Sequence, residues 1–426
     1  MSVLLVTPSW TRDGGVGAHV IASAEALAAR GTQVRVLAAR VAAEPQPPGI
    51  TVHHAPRLLH SGLSCAERVH GTSFENLSAI HLHQLDDPPL IEHLRTAAPV
   101  LMSVHGFVAC ASRVHYFRPG QECQRPHGPA CVPNLLLRGC AHLRDPRPLP
   151  GRYRNAATAL TALHRADLAI SHSSAVDRHL AINGVDRRAL VPLFGTLPHP
   201  LPPSVTRAPA AQDPSREPPA EPSRRVLFAG RLVPVKGAEV LVRALAQLDA
   251  ELVICGEGRS LAATRRLANR LGVAERVAFR GWLEPPALAR ELARAAVVAI
   301  PSLWPEPFGL VGIEALAARR PVVASATGGI PDWLHDGVNG IAVPPGHPPA
   351  LATALRELLD DPARAHAMAL AGERMVHERF SPERHVAALL AAYETARRNW
   401  TAARAGAPPP PVSLASDAGA PEPSRA

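Results

Sequence analysis

Lysine is nearly absent: of the 45 Lys and Arg residues in this chain, Lys236 is the one lysine, and aromatic residues make up only 4%. The net charge of +9 is therefore carried by scattered single arginines, without the basic runs interleaved with aromatics that line a nucleic-acid groove. Solubility and anionic substrates account for such a charge more simply than nucleic acid does. Long apolar runs are also missing, which excludes a membrane span, and the opening Met1-Ser-Val-Leu-Leu-Val-Thr7 has no basic start of the kind a secretory leader carries. The expectation is a cytoplasmic chain, with peripheral contact at the inner membrane face left open. Cysteine is scarce, with 6 residues, and no Cys-x2-Cys pair occurs.

What is present is an alternation of apolar strands and helical patterns. A length of 426 residues exceeds one hydrophobic core and implies two domains, and the alternation predicts an α/β architecture of two doubly wound parallel sheets. Strands are predicted over Ser2–Thr7, Gln33–Ala38, Ala79–His83, Val100–Val104, Ala166–Ser171 and Ala189–Leu193 in the first half. The second half has Arg225–Ala229, Glu251–Gly256, Val277–Trp282 and Val297–Pro301. The predicted division is an N-terminal domain over 1–198 with a Cys-rich insertion at about 106–150, a Pro-rich linker over 199–223, and a C-terminal domain over 224–380. A helix over 381–404 and a Pro-, Ala- and Ser-rich disordered tail over 405–426 complete it.

The stretch from Ile300 to Asp332 is the most informative. A buried strand leads into Ser302-Leu-Trp-Pro-Glu306-Pro-Phe308-Gly309-Leu310-Val-Gly-Ile-Glu314 and a helix, then a second apolar strand leads into Thr327-Gly328-Gly329-Ile-Pro331-Asp332. Loops after parallel strands share one rim, so both loops and the helix converge on a single crevice. Gly328 and Gly329 allow close approach of backbone N–H groups, and Pro331 suits the first position of a helix whose N-terminus would favour phosphate. Glu314 lies about one and a half turns into its own helix, with a carboxylate able to accept a pair of sugar hydroxyls.

Glu306 and Glu314, with Pro307-Phe308-Gly309-Leu310 and Gly328-Gly329-Ile330, reproduce the Glu-x7-Glu pattern of retaining glycosyltransferases, and the stretch resembles glycosyltransferase family 4, of the GT-B fold. The resemblance implies two Rossmann-like domains facing across a cleft, and transfer of a sugar from a UDP- or GDP-linked donor to a glycan, lipid-linked or small-molecule acceptor, with retention of configuration. In the family's pattern the Gly230-Arg231 and Lys236-Gly237 positions supply fixed cations to the leaving diphosphate. Glu314 takes the nucleotide ribose and Glu306 the donor-sugar side, while Gly15, Gly230, Glu257, Phe308, Gly309, Leu310, Gly328 and Gly329 line the donor site. His105, delivered to the rim by the strand Val100–Val104, matches a histidine near the donor sugar. Among its neighbours His83 is a second candidate for the cleft, and His81 reads as core.

No Asp-x-Asp occurs, so fixed cations rather than a bound metal are expected to neutralise the diphosphate, and no cofactor is required for catalysis. Lys236 persists among 44 arginines, so its compact ammonium is expected to be irreplaceable there, its loss affecting turnover rather than folding. Cys110, Cys123, Cys131 and Cys140 have gaps of 12, 7 and 8 residues. A structural zinc and ordinary thiols both remain open, with disulfides the poorer account in a reducing compartment. Three rival readings stand beside the transferase: a nucleotide-sugar epimerase, a phosphorylase, and an inactive sugar-binding or regulatory module. A pyridoxal-dependent phosphorylase would need its Schiff-base lysine, and Lys236 sits in the phosphate loop instead.

Overall fold

Strands rich in Val, Leu and Ala, buried on both faces, can only be accommodated in parallel sheets covered by helices. The computed structural model describes residues 1–12, 14–42, 47–111, 116–118, 121–137, 140, 149–197 and 224–406. Among these residues, nine strands lie in the first half: β1 Ser2–Trp10, β2 Gln33–Val41, β3 Ile50–His54, β4 Ala79–His83, β5 Val100–Ser103, β6 Tyr116–Arg118, β7 Gln121–Glu122, β8 Leu168–Ser171 and β9 Arg188–Leu190. The second half has β10 Arg225–Ala229, β11 Glu251–Cys255, β12 Val277–Gly281, β13 Val297–Ile300, β14 Val322–Ser325 and β15 Gly340–Val343.

These assemble into a sheet of order β3-β2-β1-β4-β5-β8-β9 and another of order β12-β11-β10-β13-β14-β15, both parallel throughout. In each sheet the order reverses beside its first strand, β1 against β4 and β10 against β13. Such reversal points open the crevice outside the carboxyl ends of the strands. The third pairing, β6 with β7, is a short antiparallel hairpin.

Several sequence expectations shift at their edges. The last strand of the first half is Arg188–Leu190 rather than 189–193, since Pro192 has no N–H to donate. Ile50–His54 and Gly340–Val343, which the sequence reading lacks, are edge strands, half-polar in the first case and short in the second. Residues 199–223 of the Pro-rich linker and 407–426 of the tail fall outside the described residues.

The helix Pro382–Arg404 begins with Ser381 accepting from the Arg384 N–H and with proline at its first position. His385, Val386, Leu389, Ala392, Tyr393, Ala396 and Asn399 recur at helical spacing and are buried. They pack on the first sheet beside the helix Gly15–Ala29 in one apolar cluster with Val3, Leu5 and Leu168. Polar anchors fix the register: Asn399 Nδ2 donates to the Asp167 carbonyl at 2.9 Å, and Trp400 Nε1 to the Arg95 carbonyl at 2.8 Å. No helix among the described residues is long and apolar enough to cross a membrane.

Candidate active site

The carboxyl ends of β10 and β13 bring Lys236 and Glu306 together. After β10 the chain makes a 3-10 turn, Pro234–Lys236, and leaves it through Gly237 at φ 74°, in the left-handed region that glycine adopts freely. A Cβ at Gly237 would run into the Pro301 carbonyl, so the loop lies directly on the end of β13. The Leu303 N–H donates to the Val235 carbonyl at 2.8 Å and fastens the two loops. Lys236 Nζ then donates to both Glu306 oxygens, at 2.7 and 2.9 Å, and Ser302 Oγ donates to Oε1 at 2.5 Å. Glu306 is buried while Lys236 keeps partial exposure. Burial by itself would raise the Glu306 pKa, but the Lys236 charge and the bonds from Lys236 and Ser302 prevail, so the carboxyl is held below its ordinary range. Arg231, on the same loop, is exposed and has no partner among the described residues.

Glu314 sits in the helix Leu310–Ala317, whose entry at Gly309 is left-handed with φ 87°. Its Oε1 accepts from the Thr196 N–H at 3.1 Å and the Thr196 hydroxyl at 2.8 Å. Burial raises its pKa in spite of those bonds. Thr196 belongs to the segment that follows β9, so the first half of the chain already supplies hydroxyl and amide donors to the carboxylate assigned to ribose.

Two expectations about this loop need correction. Phe308 is 4% exposed and packs edge-on against Phe380, while its carbonyl accepts from Trp333 Nε1 at 2.7 Å, so it supports the site from the core instead of lining it. The segment at Pro331 is a 3-10 turn of three residues, Ile330–Asp332, and not the helix expected there, so the turn can offer an anion a single backbone N–H without a helix dipole behind it. Gly329 donates its N–H to the Glu306 carbonyl at 2.7 Å, which commits that group within the protein. Gly328 serves close packing: it bridges to Glu306, and a Cβ there would collide with the Glu306 backbone.

The opposite rim is built of imidazoles. His105 follows β5, and its Nε2 lies 3.1 Å from His83 Nδ1 while its ring stacks on His172 at 5.0 Å. A Cβ at Gly106 would lie 3.8 Å from Pro307, so this rim touches the Glu306 loop. His81 bonds Tyr393 and Ser103, and Ser103 bonds His172; His19 and His385 share Ser23. Burial pushes His105 and His385 down to about 4 and His81 to about 3, and lowers His19, His83 and His172 as well. These rings are neutral at physiological pH and offer hydrogen bonds without charge. His19, His172 and His385 were absent from the sequence candidates, and their wide separation along the chain left no local signal.

Other candidates are placed more simply. A Cβ at Gly15, the first residue of the helix Gly15–Ala29, would lie 3.7 Å from Leu310, which locates both at the cleft. The Gly230 N–H donates to the Cys255 carbonyl at 2.9 Å, and Glu257 is exposed on the following loop. Across the cleft, Asp332 accepts from the Ser174 N–H at 2.7 Å and from its hydroxyl, a link the sequence does not signal. Cys110, Cys123, Cys131 and Cys140 do converge, lining one cavity of about 30 Å³ with His127 and His179. No three His, Cys, Asp or Glu side chains among the described residues are arranged to hold a metal ion.

Two reversed parallel sheets facing across a cleft, with a paired lysine and glutamate at its second rim, define a glycosyltransferase of the GT-B fold. The model of Glycosyl transferases group 1 matches residues 211–375. A D-inositol 3-phosphate glycosyltransferase of Xylanimonas cellulosilytica is 32% identical over 90% of this chain and 92% of its own length. The chain thus belongs to the group 1 glycosyltransferases. A GDP-mannose-dependent alpha-(1-6)-phosphatidylinositol monomannoside mannosyltransferase of Mycolicibacterium smegmatis is 40% identical over 34% of this chain, spanning 41% of that relative. Among solved structures, sucrose-phosphate synthase of Thermosynechococcus elongatus superposes with a TM-score of 0.67 at 23% identity, covering 92% of this chain and 98% of that one. HepE of Anabaena, in complex with UDP and glucose, does so at 0.66 and 19%, covering 93% and 100%.

Proposed function

We propose that this glycosyltransferase belongs to family 4 and transfers a hexose from a UDP- or GDP-sugar with retention of configuration and without a catalytic metal. The observation that carries the reading is the Lys236–Glu306 pair with Arg231 on the same loop. Breaking an anomeric bond to diphosphate needs positive charge where the leaving oxygen develops its own negative charge, and Lys236, already fixed by Glu306, supplies it with little reorganisation. Lys236, held by Glu306, presents its remaining donor toward the cleft, and Arg231 adds a planar fork suited to phosphate oxygens. Glu306 orients the sugar hydroxyls, Glu314 exchanges Thr196 for the ribose diol, and neutral His105 hydrogen-bonds the sugar from the facing rim. The same pairing disfavours a pyridoxal-dependent phosphorylase, since Lys236 is committed to a buried carboxylate.

The acceptor is a hydroxyl of a glycan, a lipid-linked polyol or a small polyol. The relatives named above make inositol phosphate and phosphatidylinositol glycans the first to try, and a lipid-linked acceptor would imply peripheral contact with a membrane. The test incubates the full chain with UDP- and GDP-sugars and these acceptors after chelation of divalent ions. Nucleoside diphosphate release that rises with acceptor, and an axial or equatorial anomeric signal in the product matching that of the donor, support the reading. Inverted product or strict metal dependence defeats it.

A further inference from the structure

Glu122 ends the short strand β7, in the segment that carries the cysteines. Its Oε1 accepts the Gly328 N–H at 2.7 Å, a bond that joins residues 206 positions apart. Of the two glycine amides in that turn, the Gly329 N–H is committed to the Glu306 carbonyl, which leaves the Gly328 N–H as the one that donates to an anion from outside the turn. It already has one. The turn runs close to the Glu306 backbone, with Gly328 left-handed at φ 65° and no room there for a Cβ. Glu122 is held from behind as well: Cys123 is part of the four-thiol cavity, and the His127 N–H donates to Asn183 Oδ1 at 2.7 Å, tying the segment to the first half.

We infer that Glu122 is an internal stand-in for a phosphate of the donor, occupying the Gly328 amide until a nucleoside diphosphate displaces it. The inference rests on the donor-site reading above. A carboxylate and a phosphate oxygen cannot share one N–H, and two anions at one turn repel, so donor binding requires Glu122 to leave. Affinity is then set partly by the fraction of molecules in which the turn is free. The Cys-bearing segment thereby gains a role at the site, as the scaffold that holds a competing anion in place and sheds weak or wrongly charged ligands.

The experiment measures binding of UDP and GDP to the full chain by calorimetry, for the parent, Glu122→Ala, Glu122→Gln and Lys236→Ala. Glu122→Ala is expected to bind the matching nucleoside diphosphate about 10-fold tighter, as removal of a contact made about nine-tenths of the time would do. Glu122→Gln, which keeps an oxygen acceptor and loses the charge, is expected a few-fold tighter. Hydrogen exchange gives a second readout: nucleotide added to the parent should speed exchange around residues 121–123. Unchanged or weaker binding in both Glu122 variants, where Lys236→Ala still weakens it, overturns this inference and leaves the donor-site reading intact. Failure of the parent to bind either nucleotide overturns both.

Discussion

The two rims of the cleft solve the problem of burying polar groups in opposite ways. On the first, His19, His81, His83, His105, His172 and His385 are packed ring against ring and kept neutral by burial. On the second, a full ion pair joins the partly exposed Lys236 to the buried Glu306, with a third partner in Ser302. In the proposed reaction the neutral rim would offer hydrogen bonds to hydroxyls without charge, and the charged rim would meet the anionic diphosphate. The difference also places the vulnerabilities: protons threaten the first rim, and loss of a partner threatens the second.

Acid should separate the rims most sharply. Each of these histidines has a folded pKa below its unfolded value of about 6.5, so its contribution is complete above that value and is lost as pH falls from there toward the folded values of about 4 for His105 and His385 and about 3 for His81. Each such group adds up to about 1.4 kcal/mol per pH unit in that window. Urea unfolding at pH 7.5, 6.5 and 5.5 should therefore show stability falling with the uptake of several protons. Amides of β1, β4 and β5 should lose exchange protection before those of β10 and β13. Stability that is flat across this range would mean that the imidazoles are solvated and the contrast is unreal.

Lys236→Ala tests the charged rim. Turnover is expected to fall about 10²-fold, on the scale of one preorganised donor to a developing charge. The sequence alone suggested that such a variant would keep its melting temperature, but a buried Glu306 without its partner changes that expectation. Removing one member of a buried pair costs about 3 kcal/mol, so the variant should melt measurably lower. Lys236→Ala combined with Glu306→Gln should recover most of the stability and none of the turnover. Equal turnover in parent and Lys236→Ala would remove the pair from the chemistry.

Legibility in the sequence followed distance along the chain. Glu306, Gly309 and Glu314 lie within one loop and one helix, so their spacing was enough to place them at a strand end, and the parallel strands other than the edge strands β3 and β15 were readable from their apolar runs. The histidine rim was legible only at His83 and His105, because the helix Gly15–Ala29, β4, β5, β8 and the last helix meet only in three dimensions, and a histidine inside an apolar strand looks the same whether its partner is another imidazole or nothing. Glu122 on Gly328 and Ser174 on Asp332 escaped for the same reason. Phe308 and Pro331 misled in the opposite direction: each fits a motif in sequence, yet Trp333 filling the space over Gly312 draws the Phe308 carbonyl inward, and three residues of 3-10 turn do not make a helix.

A smaller effect is expected where the rims touch. Asp332→Ala removes both bonds from Ser174 and should loosen the contact between the rims, raising the donor KM a few-fold and lowering the melting temperature by less than Lys236→Ala does, since solvent replaces much of a part-exposed bond and leaves a net loss of about 1 kcal/mol. A variant with parent-like KM would show that closure does not depend on this link.

The smallest effect belongs to the four-cysteine cavity, which lies behind Glu122 and away from the charged rim. Four thiols share its walls with alanines and imidazoles, and burial, aided by neighbouring Cys110 and Cys131, pushes the Cys123 pKa up. A thiol so shifted is a poor nucleophile at neutral pH, because the thiolate is the reactive form. Iodoacetamide at pH 7.5 should therefore modify Cys123 well behind an exposed thiol, and chelators should move the melting temperature by no more than about 1 °C, against the several degrees that loss of a structural metal brings. Retention of about one zinc per chain through dialysis, with a large drop in melting temperature on its removal, would show that the thiols turn inward onto an ion, and that the segment holding Glu122 is set by metal rather than by packing.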